Sequence, residues 1–405
     1  MNQRYYSLDV FRGATVCLMI LVNNPGSWAH IYSPLEHAEW HGLTPTDLVF
    51  PFFLFAVGNA MAFVMPRLEA AGDRVFWKKV LKRSLLIYAV GLFLTWYPFV
   101  QYTDGHLVGK GWTYVDASGH LAGIRILGVL ARIAICYFFA SIIIYYLKAR
   151  GAFLVGLLIL LVYWALAFTL GDPADPYSMT GYFGNAVDKT ILGEPHMYHG
   201  EGIAFDPEGI MSTLPAIVQV IFGFLVGDFI RKRGQMVTGT EQAAVKGFEL
   251  YKMETILFIA AVALLFTGYA WDLSFPINKK IWTSSYVVYT SGLAIIVLAT
   301  LIYAIEIKQM KGWFTRFFDV FGKNPLFIFA FSSFLPKTLW LIRWPDGVNA
   351  KGEIVYSDPW HWLAKTCGKI PGRPENGSLL FAIIVIIVFW AICYWLDKKK
   401  IYIKV

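Results

Sequence analysis

Ten mostly apolar stretches, each near twenty residues long, punctuate this chain at 8–24, 46–66, 76–98, 123–147, 152–171, 211–231, 254–272, 283–306, 317–341 and 378–396. A helix that crosses the hydrocarbon layer of a bilayer needs about 20 such residues. The pattern therefore predicts an all-α polytopic integral membrane protein with about ten transmembrane helices. The second, fourth, eighth and tenth runs are the cleanest, whereas polar residues interrupt the first and the ninth. Asn23, Asn24 and Pro25 close the first run, which lacks a small-residue cleavage site and is expected to stay as a helix. No internal repeat or low-complexity linker divides the chain, so residues 1–405 are expected to form a single transmembrane domain.

Composition agrees with that pattern. The chain is 57% hydrophobic and 15% charged, against roughly a quarter charged for a soluble domain. The formal net charge of +8 does not point to nucleic acid, because the basic residues sit beside apolar runs and form no stripe of their own. Lipid is the expected surrounding partner, and lipid-exposed aromatic faces leave a homodimer open. Arg67, Arg74, Lys78, Lys79, Lys82 and Arg83 follow the second run; Lys148 and Arg150 follow the fourth; Arg231, Lys232 and Arg233 follow the sixth; Lys308, Lys311 and Arg316 follow the eighth. Lys398, Lys399 and Lys400 close the chain. Retention of positive charge in the cytoplasm then predicts cytoplasmic N- and C-termini. All eight histidines fall in outward loops or at their edges on this assignment. The outward segment 172–208 holds seven carboxylates against Lys189 alone, a rim that would focus a cationic ligand such as an amine. Four scattered cysteines without a CxxC pair argue against a disulfide framework or a thiolate metal site.

The candidate chemistry gathers at Leu35–Phe55, where His37, Glu39, His41 and Asp47 stand at the threshold of an apolar run. Ionisable groups there are costly without a task or a partner. His37 and His41 are four apart and would share a face on a helix, but Glu39 is misplaced for HExxH and no third ligand is evident, so no metal is expected. Thr44 suits an N-cap and Pro45 a first helical turn, which makes Asp47 a first-turn carboxylate. The same carboxylate could orient an imidazole and stabilise its protonated form. Asp9 and Arg12 are three apart; they either neutralise each other or leave Arg12 to hold an anion such as a cofactor phosphate. Asn23 could cap a helix end or grip a polar substrate atom. Arg125 and Arg132, seven apart, need an anionic partner, either a carboxylate such as Asp47 or Glu36 or a phosphate-rich cofactor. Gly322-Lys323-Asn324-Pro325 breaks the start of the ninth run and could line a pocket. No GxSxG, P-loop or dinucleotide fingerprint occurs.

Ser7-Leu8-Asp9-Val10-Phe11-Arg12-Gly13, Leu18 to Asn23, and the block from His37 to Pro51 resemble the heparan-α-glucosaminide N-acetyltransferase family, including its bacterial glucosamine N-acetyltransferase-like members. Arg125 to Arg132, Trp282 to Val287 and Gly322-Lys323-Asn324-Pro325 extend the likeness over most of the chain. The resemblance implies an acyltransferase of the bacterial inner membrane that takes acetyl-CoA from the cytoplasm and acetylates the amine of a glucosamine, an amino sugar, on the periplasmic side. It implies that His37 is the catalytic histidine, near the periplasmic face, Asn23 the acyl-pocket asparagine and Asp47 the nearby aspartate. Arg12, Arg125, Arg132 and Asn324 are then the cofactor-side candidates. Two departures stand out: the spacing from Asn23 to His37 is a few residues longer here, and the long lumenal N-terminal domain of the animal enzymes has no counterpart in these residues. The rival reading is a transporter or flippase for an amino sugar or a lipid-linked saccharide.

Overall fold

The computed structural model describes residues 5–103, 106–116, 119–238, 243–348, 352 and 354–403. Twelve helices account for most of them: α1 (Tyr6–Asn23), α2 (Val49–Ala71), α3 (Asp73–Trp96), α4 (Val129–Leu170), α5 (Phe183–Leu192), α6 (Ile210–Thr238), α7 (Ala243–Asp272), α8 (Ser284–Ile302), α9 (Trp313–Lys323), α10 (Pro325–Leu339), α11 (Pro359–Cys367) and α12 (Pro374–Lys398). The all-α expectation needs one correction. Six short strands form three antiparallel pairs: β1 (Val100–Thr103) with β2 (His106–Gly109), β3 (Thr113–Val115) with β4 (Leu121–Gly123), and β5 (Trp344–Val348) with β6 (Ile354–Ser357). These strands lie in the connections between helices, β1 to β4 between α3 and α4 and β5 and β6 between α10 and α11.

Among the described residues seven helices are long and apolar enough to span a membrane. The difference from ten has three local causes. Arg74, Lys78, Lys79, Lys82 and Arg83 dilute α3. The fourth and fifth runs are two helices joined without a loop, numbered together as α4, and the break falls at Lys148 (φ 56°, ψ −173°), in the gap expected between them. The ninth run is split at Asn324 into α9 and α10, because Pro325 has no N–H to continue a helix. The fourth run also starts later than expected, at Val129 instead of residue 123.

Small residues let the helices close up, as apolar solvent requires when burial of greasy surface gives no drive. Gly58 of α2 and Gly223 of α6 face each other's helices, and a Cβ on Gly58 would lie 2.0 Å from Val220 O, one on Gly223 2.1 Å from Phe55 O. Gly13 of α1 and Gly322 of α9 repeat the arrangement, with a Cβ on Gly13 falling only 1.8 Å from Phe318 O. The chain runs back and forth between two ends. One end, the terminal face, gathers the start of α1, the segment just after α8 and residues 401–403: Ser7 N–H donates to Glu306 Oε1 at 3.0 Å and Ile403 N–H to Asn324 Oδ1 at 2.8 Å. The opposite end carries the strand pairs, α5, α11 and the loop from Asn24 to Leu48, here called the histidine face.

Candidate functional site

The loop on the histidine face is shaped by Asp47. Thr44 and Pro45 start a short 3-10 turn, Pro45–Leu48, ahead of α2. Asp47 Oδ2 accepts from the N–H groups of Ala38 and Thr44, both at 3.0 Å, so one buried carboxylate folds the preceding loop over itself. Its other oxygen meets His37 Nδ1 at 2.6 Å. Tyr286 Oη of α8 donates to the Asp47 carbonyl at 2.6 Å and fixes the turn from below. Asp47 is therefore both cap and histidine partner, which is the coexistence the sequence allowed. His37 and His41 do not share a helical face, because helix begins only at residue 45 and the segment between Glu36 and Thr44 is loop. His41 turns instead towards Asn278 Nδ2, at 3.3 Å, and burial lowers its pKa.

Lys279, from the turn between α7 and α8, completes the cluster. Its Nζ lies 3.0 and 3.3 Å from the two ring nitrogens of His37 and 3.4 Å from Asp47 Oδ1. Burial depresses the pKa of this ammonium against the opposing pull of Asp47 and Glu208. Lys280 beside it donates to Glu201 Oε2 at 2.6 Å and to Glu39 O at 2.9 Å. Neither lysine was singled out from sequence; the one available signal was the Asn278-Lys279-Lys280 run placed just before Trp282.

Two cavities meet at His37. One, of about 230 Å³, is lined by Trp40, Tyr198, Glu201, Arg125 and the two lysines as well as by His37 and Asp47. The other, of about 390 Å³, runs inward past Met19, Asn23, Phe50, Phe53 and Phe329. Lys279, Glu208 and Val129 border both. Asn23 is exposed and shares the inner cavity with His37. Farther along, a cavity of about 100 Å³ touches Phe53, Ile133, Arg83 and Arg12, and a fourth of about 400 Å³ opens beside Arg12, Asn59 and Arg67 near the terminal face.

The arginines separate into different environments. Arg12 meets Asp9 Oδ1 at 2.8 Å and the Gly322 carbonyl, and lines the third and fourth cavities. Arg125 precedes α4, so it shares no helical face with Arg132: Ile124 and Ile126 N–H groups bond to Trp112 O and His196 O and hold that segment extended. Its guanidinium forks onto Asp206 at 3.0 and 2.6 Å and also bonds Glu208. Burial pushes the Glu208 carboxyl up, but Arg125, Arg132 and Lys279 together outweigh it and hold that carboxyl below its ordinary pKa. Arg132 is fully buried, bonds Ser212 Oγ and Gly209 O, and faces the Trp282 ring at 5.1 Å. Asn324 is also fully buried; its amide holds Ile401 O at 3.1 Å and Ile403 N–H at 2.8 Å.

The acidic rim expected of 172–208 is largely self-satisfied. Glu194 pairs with Lys189, Glu201 with Lys280, and Asp206 and Glu208 with Arg125. Asp188 is buried and accepts from Ile210 N–H at 2.8 Å; desolvation raises its pKa to about 7.

The chain is 26% identical to human heparan-alpha-glucosaminide N-acetyltransferase over 461 aligned residues, and 24% identical to the mouse protein of the same name over 454. Each alignment covers 99% of this chain and 60% of the relative, so the chain spans about 60% of the length of the curated relatives it matches. No family model matches the chain. The likeness read from the sequence motifs therefore extends over nearly all of it.

Proposed function

We propose that this relative of the heparan-α-glucosaminide N-acetyltransferases is a transmembrane acetyltransferase. It passes the acetyl group of acetyl-CoA, held from the terminal face, to the amine of a glucosamine that meets His37 on the opposite face. One observation carries the reading: a histidine in contact with a buried carboxylate borders two cavities at once, one facing outward and one leading in.

The four cavities share lining residues in sequence. His37 and Lys279 join the first two, Phe53 and Ile133 the second and third, and Arg12, Ala56 and Ala60 the third and fourth. They follow α2 from Val49 to Arg67, about 27 Å at 1.5 Å per residue, close to the ~30 Å of a hydrocarbon core. A long, narrow donor with a phosphate-bearing head and a pantetheine arm suits such a path. Toward its far end Arg83 Nε, in the third cavity, and Asn59 Oδ1, in the fourth, are buried without a hydrogen-bond partner among the described residues. Arg12, with Arg67 and Arg83, would meet the phosphates. Arg125, Arg132 and Asn324 serve in this reading to hold the protein's own loops and terminus.

Ten crossings of the bilayer, with α3, both halves of α4 and the α9–α10 pair counted, put both termini in the cytoplasm by the basic residues on the terminal face. The chain then acts as one domain of a bacterial inner membrane, with His37 at the periplasmic side. Asp47 holds Nδ1 of His37, which leaves Nε2 to take a proton from the acceptor amine. General-base help of this kind contributes about 10² to 10⁴ in rate.

The test is release of free CoA thiol from acetyl-CoA by the purified chain, with and without glucosamine, for wild type and for His37→Ala. Glucosamine-dependent release that vanishes in the variant supports the reading. Uptake of sugar without thiol release would make the protein a transporter instead. Labelled acetyl-CoA without sugar sorts the two chemical routes, since protein-bound acetyl accumulates only if His37 is itself the nucleophile.

A further inference from the structure

The turn that presents Lys279 is fixed at almost every polar atom. Ile277 N–H donates to Asp272 Oδ1 at 2.6 Å, and Asn278 N–H to Thr283 Oγ1 at 3.0 Å. Asn278 Oδ1 accepts from Ile281 N–H at 3.0 Å, while Thr283 N–H returns to Asn278 O at 3.1 Å. Gly42 N–H donates to Ile277 O at 2.8 Å, which ties this turn to the loop of His37. Asn278 and Thr283 are completely buried. Trp282 occupies the left-handed region at φ 49° and is wedged between the rings of Phe50 and Tyr286, each 5.1 Å away. A charge held this rigidly has no reorganisation to undergo when a neighbouring bond changes.

Lys279 is aimed where that matters. An ammonium has three donors and no acceptor, and here Asp47 Oδ1, 3.4 Å from Nζ, engages one side of it. Nζ stands beside both ring nitrogens of His37, 3.0 Å from Nδ1 and 3.3 Å from Nε2, the one left free once Asp47 holds Nδ1. With the acceptor nitrogen directed at Nε2, the thioester carbon it attacks lies one bond farther on, and a carbonyl oxygen turned to the Lys279 side would come within hydrogen-bond reach of Nζ. Asn23, exposed at the end of α1, borders the inner cavity alone, whereas Lys279 borders both.

We propose that Lys279 is a catalytic residue of the transfer, its ammonium stabilising the carbonyl oxygen as that oxygen becomes an oxyanion beside His37. The proposal rests on the acetyl-transfer reading above. In the step, the neutral acceptor amine adds to the thioester carbon and the carbonyl π pair moves to oxygen, where Lys279 meets it. On collapse the carbonyl re-forms, the C–S bond breaks with its pair on sulfur, and the proton lost by nitrogen passes through His37 Nε2 to that thiolate. The N-acetylated amino sugar and CoA thiol are the products, and Lys279 ends as it began.

The experiment compares full-length wild type with Lys279→Met, Lys279→Arg and Lys279→Cys, reading kcat and KM by thiol release and folding by thermal melting. Lys279→Met should lower kcat about 10² to 10³-fold with KM for both substrates changed by less than about threefold. Lys279→Arg should fall between the two. Treating Lys279→Cys with bromoethylamine, with the treated wild type as control, rebuilds an ammonium at nearly the same reach and should recover at least about tenfold of the loss. A Lys279→Met enzyme within about threefold of wild-type kcat overturns the proposal. So does a folded Lys279→Cys that regains nothing on aminoethylation. A wild type that releases no thiol overturns the acetyl-transfer reading and this proposal with it.

Discussion

Among the described residues two histidine–aspartate contacts have equal length. His37 Nδ1 lies 2.6 Å from Asp47 Oδ1, and His361 Nδ1 lies 2.6 Å from Asp358 Oδ2. Everything around them differs. Asp358 is the N-cap of α11, accepting from the N–H groups of Trp360 and His361, and His361 folds back on its own helix with 71% of its side chain exposed. Asp47 draws its donors from a loop that it closes, and it lies at the junction of two cavities with Lys279, from a turn 242 positions beyond His37. A short His–Asp distance is thus a common product of helix capping. Among the described residues the first pair alone of the two also meets a cation and borders cavities.

Mutating each pair sharpens the contrast. His37→Ala should lower glucosamine-dependent thiol release by about 10³-fold or more, since it removes the group that handles the proton. His361→Ala should leave the rate within about twofold. Asp47→Asn comes next, with a loss of about 10² in kcat as the imidazole loses its anionic partner; the amide still accepts from one side, so the fold should melt within a few degrees of wild type. If His361→Ala cost as much as His37→Ala, the comparison would be broken. Arg12→Ala should raise KM for acetyl-CoA about tenfold while leaving KM for glucosamine unchanged, because a charge-assisted contact contributes about 1.5–3 kcal/mol. Asn324→Ala should do the reverse of a cofactor contact: a lower melting temperature and an unchanged KM for acetyl-CoA.

A smaller effect concerns pH. Burial raises the Asp188 carboxyl to about 7 in the folded chain, well above its unfolded value of about 4. Between those limits the unfolded chain releases a proton that the folded chain keeps. The contribution to stability is full below about pH 4 and is lost as pH rises through about 7. Asp188→Asn should flatten the fall in melting temperature across that window. An unaltered slope would mean that Asp188 is already ionised in the folded chain.

Much of the fold was legible because apolar runs of membrane length and the breaks between them are local signals. Asn324-Pro325 ended a helix as its chemistry dictates, and the gap between the fourth and fifth runs became the break at Lys148. The contact of His37 with Asp47 was legible because Thr44 and Pro45 place that carboxylate at the head of α2, ten residues on from the imidazole. That same cap starts the helix too late for His37 and His41 to share a face. Other features depended on distant partners. Arg125 found Asp206, 81 positions on, instead of Asp47 or Glu36. Lys279 is one lysine among many until the α7–α8 turn packs against the His37 loop. Carboxylates of 172–208 read as an acidic rim only while the cations that neutralise them remain out of view.

The account stands or falls on two substrates meeting from opposite faces. In proteoliposomes with acetyl-CoA sealed inside and labelled glucosamine supplied outside, wild type should form N-acetylglucosamine in the outer medium while free CoA thiol stays within the lumen. Product that forms only when donor and acceptor share one compartment would contradict it.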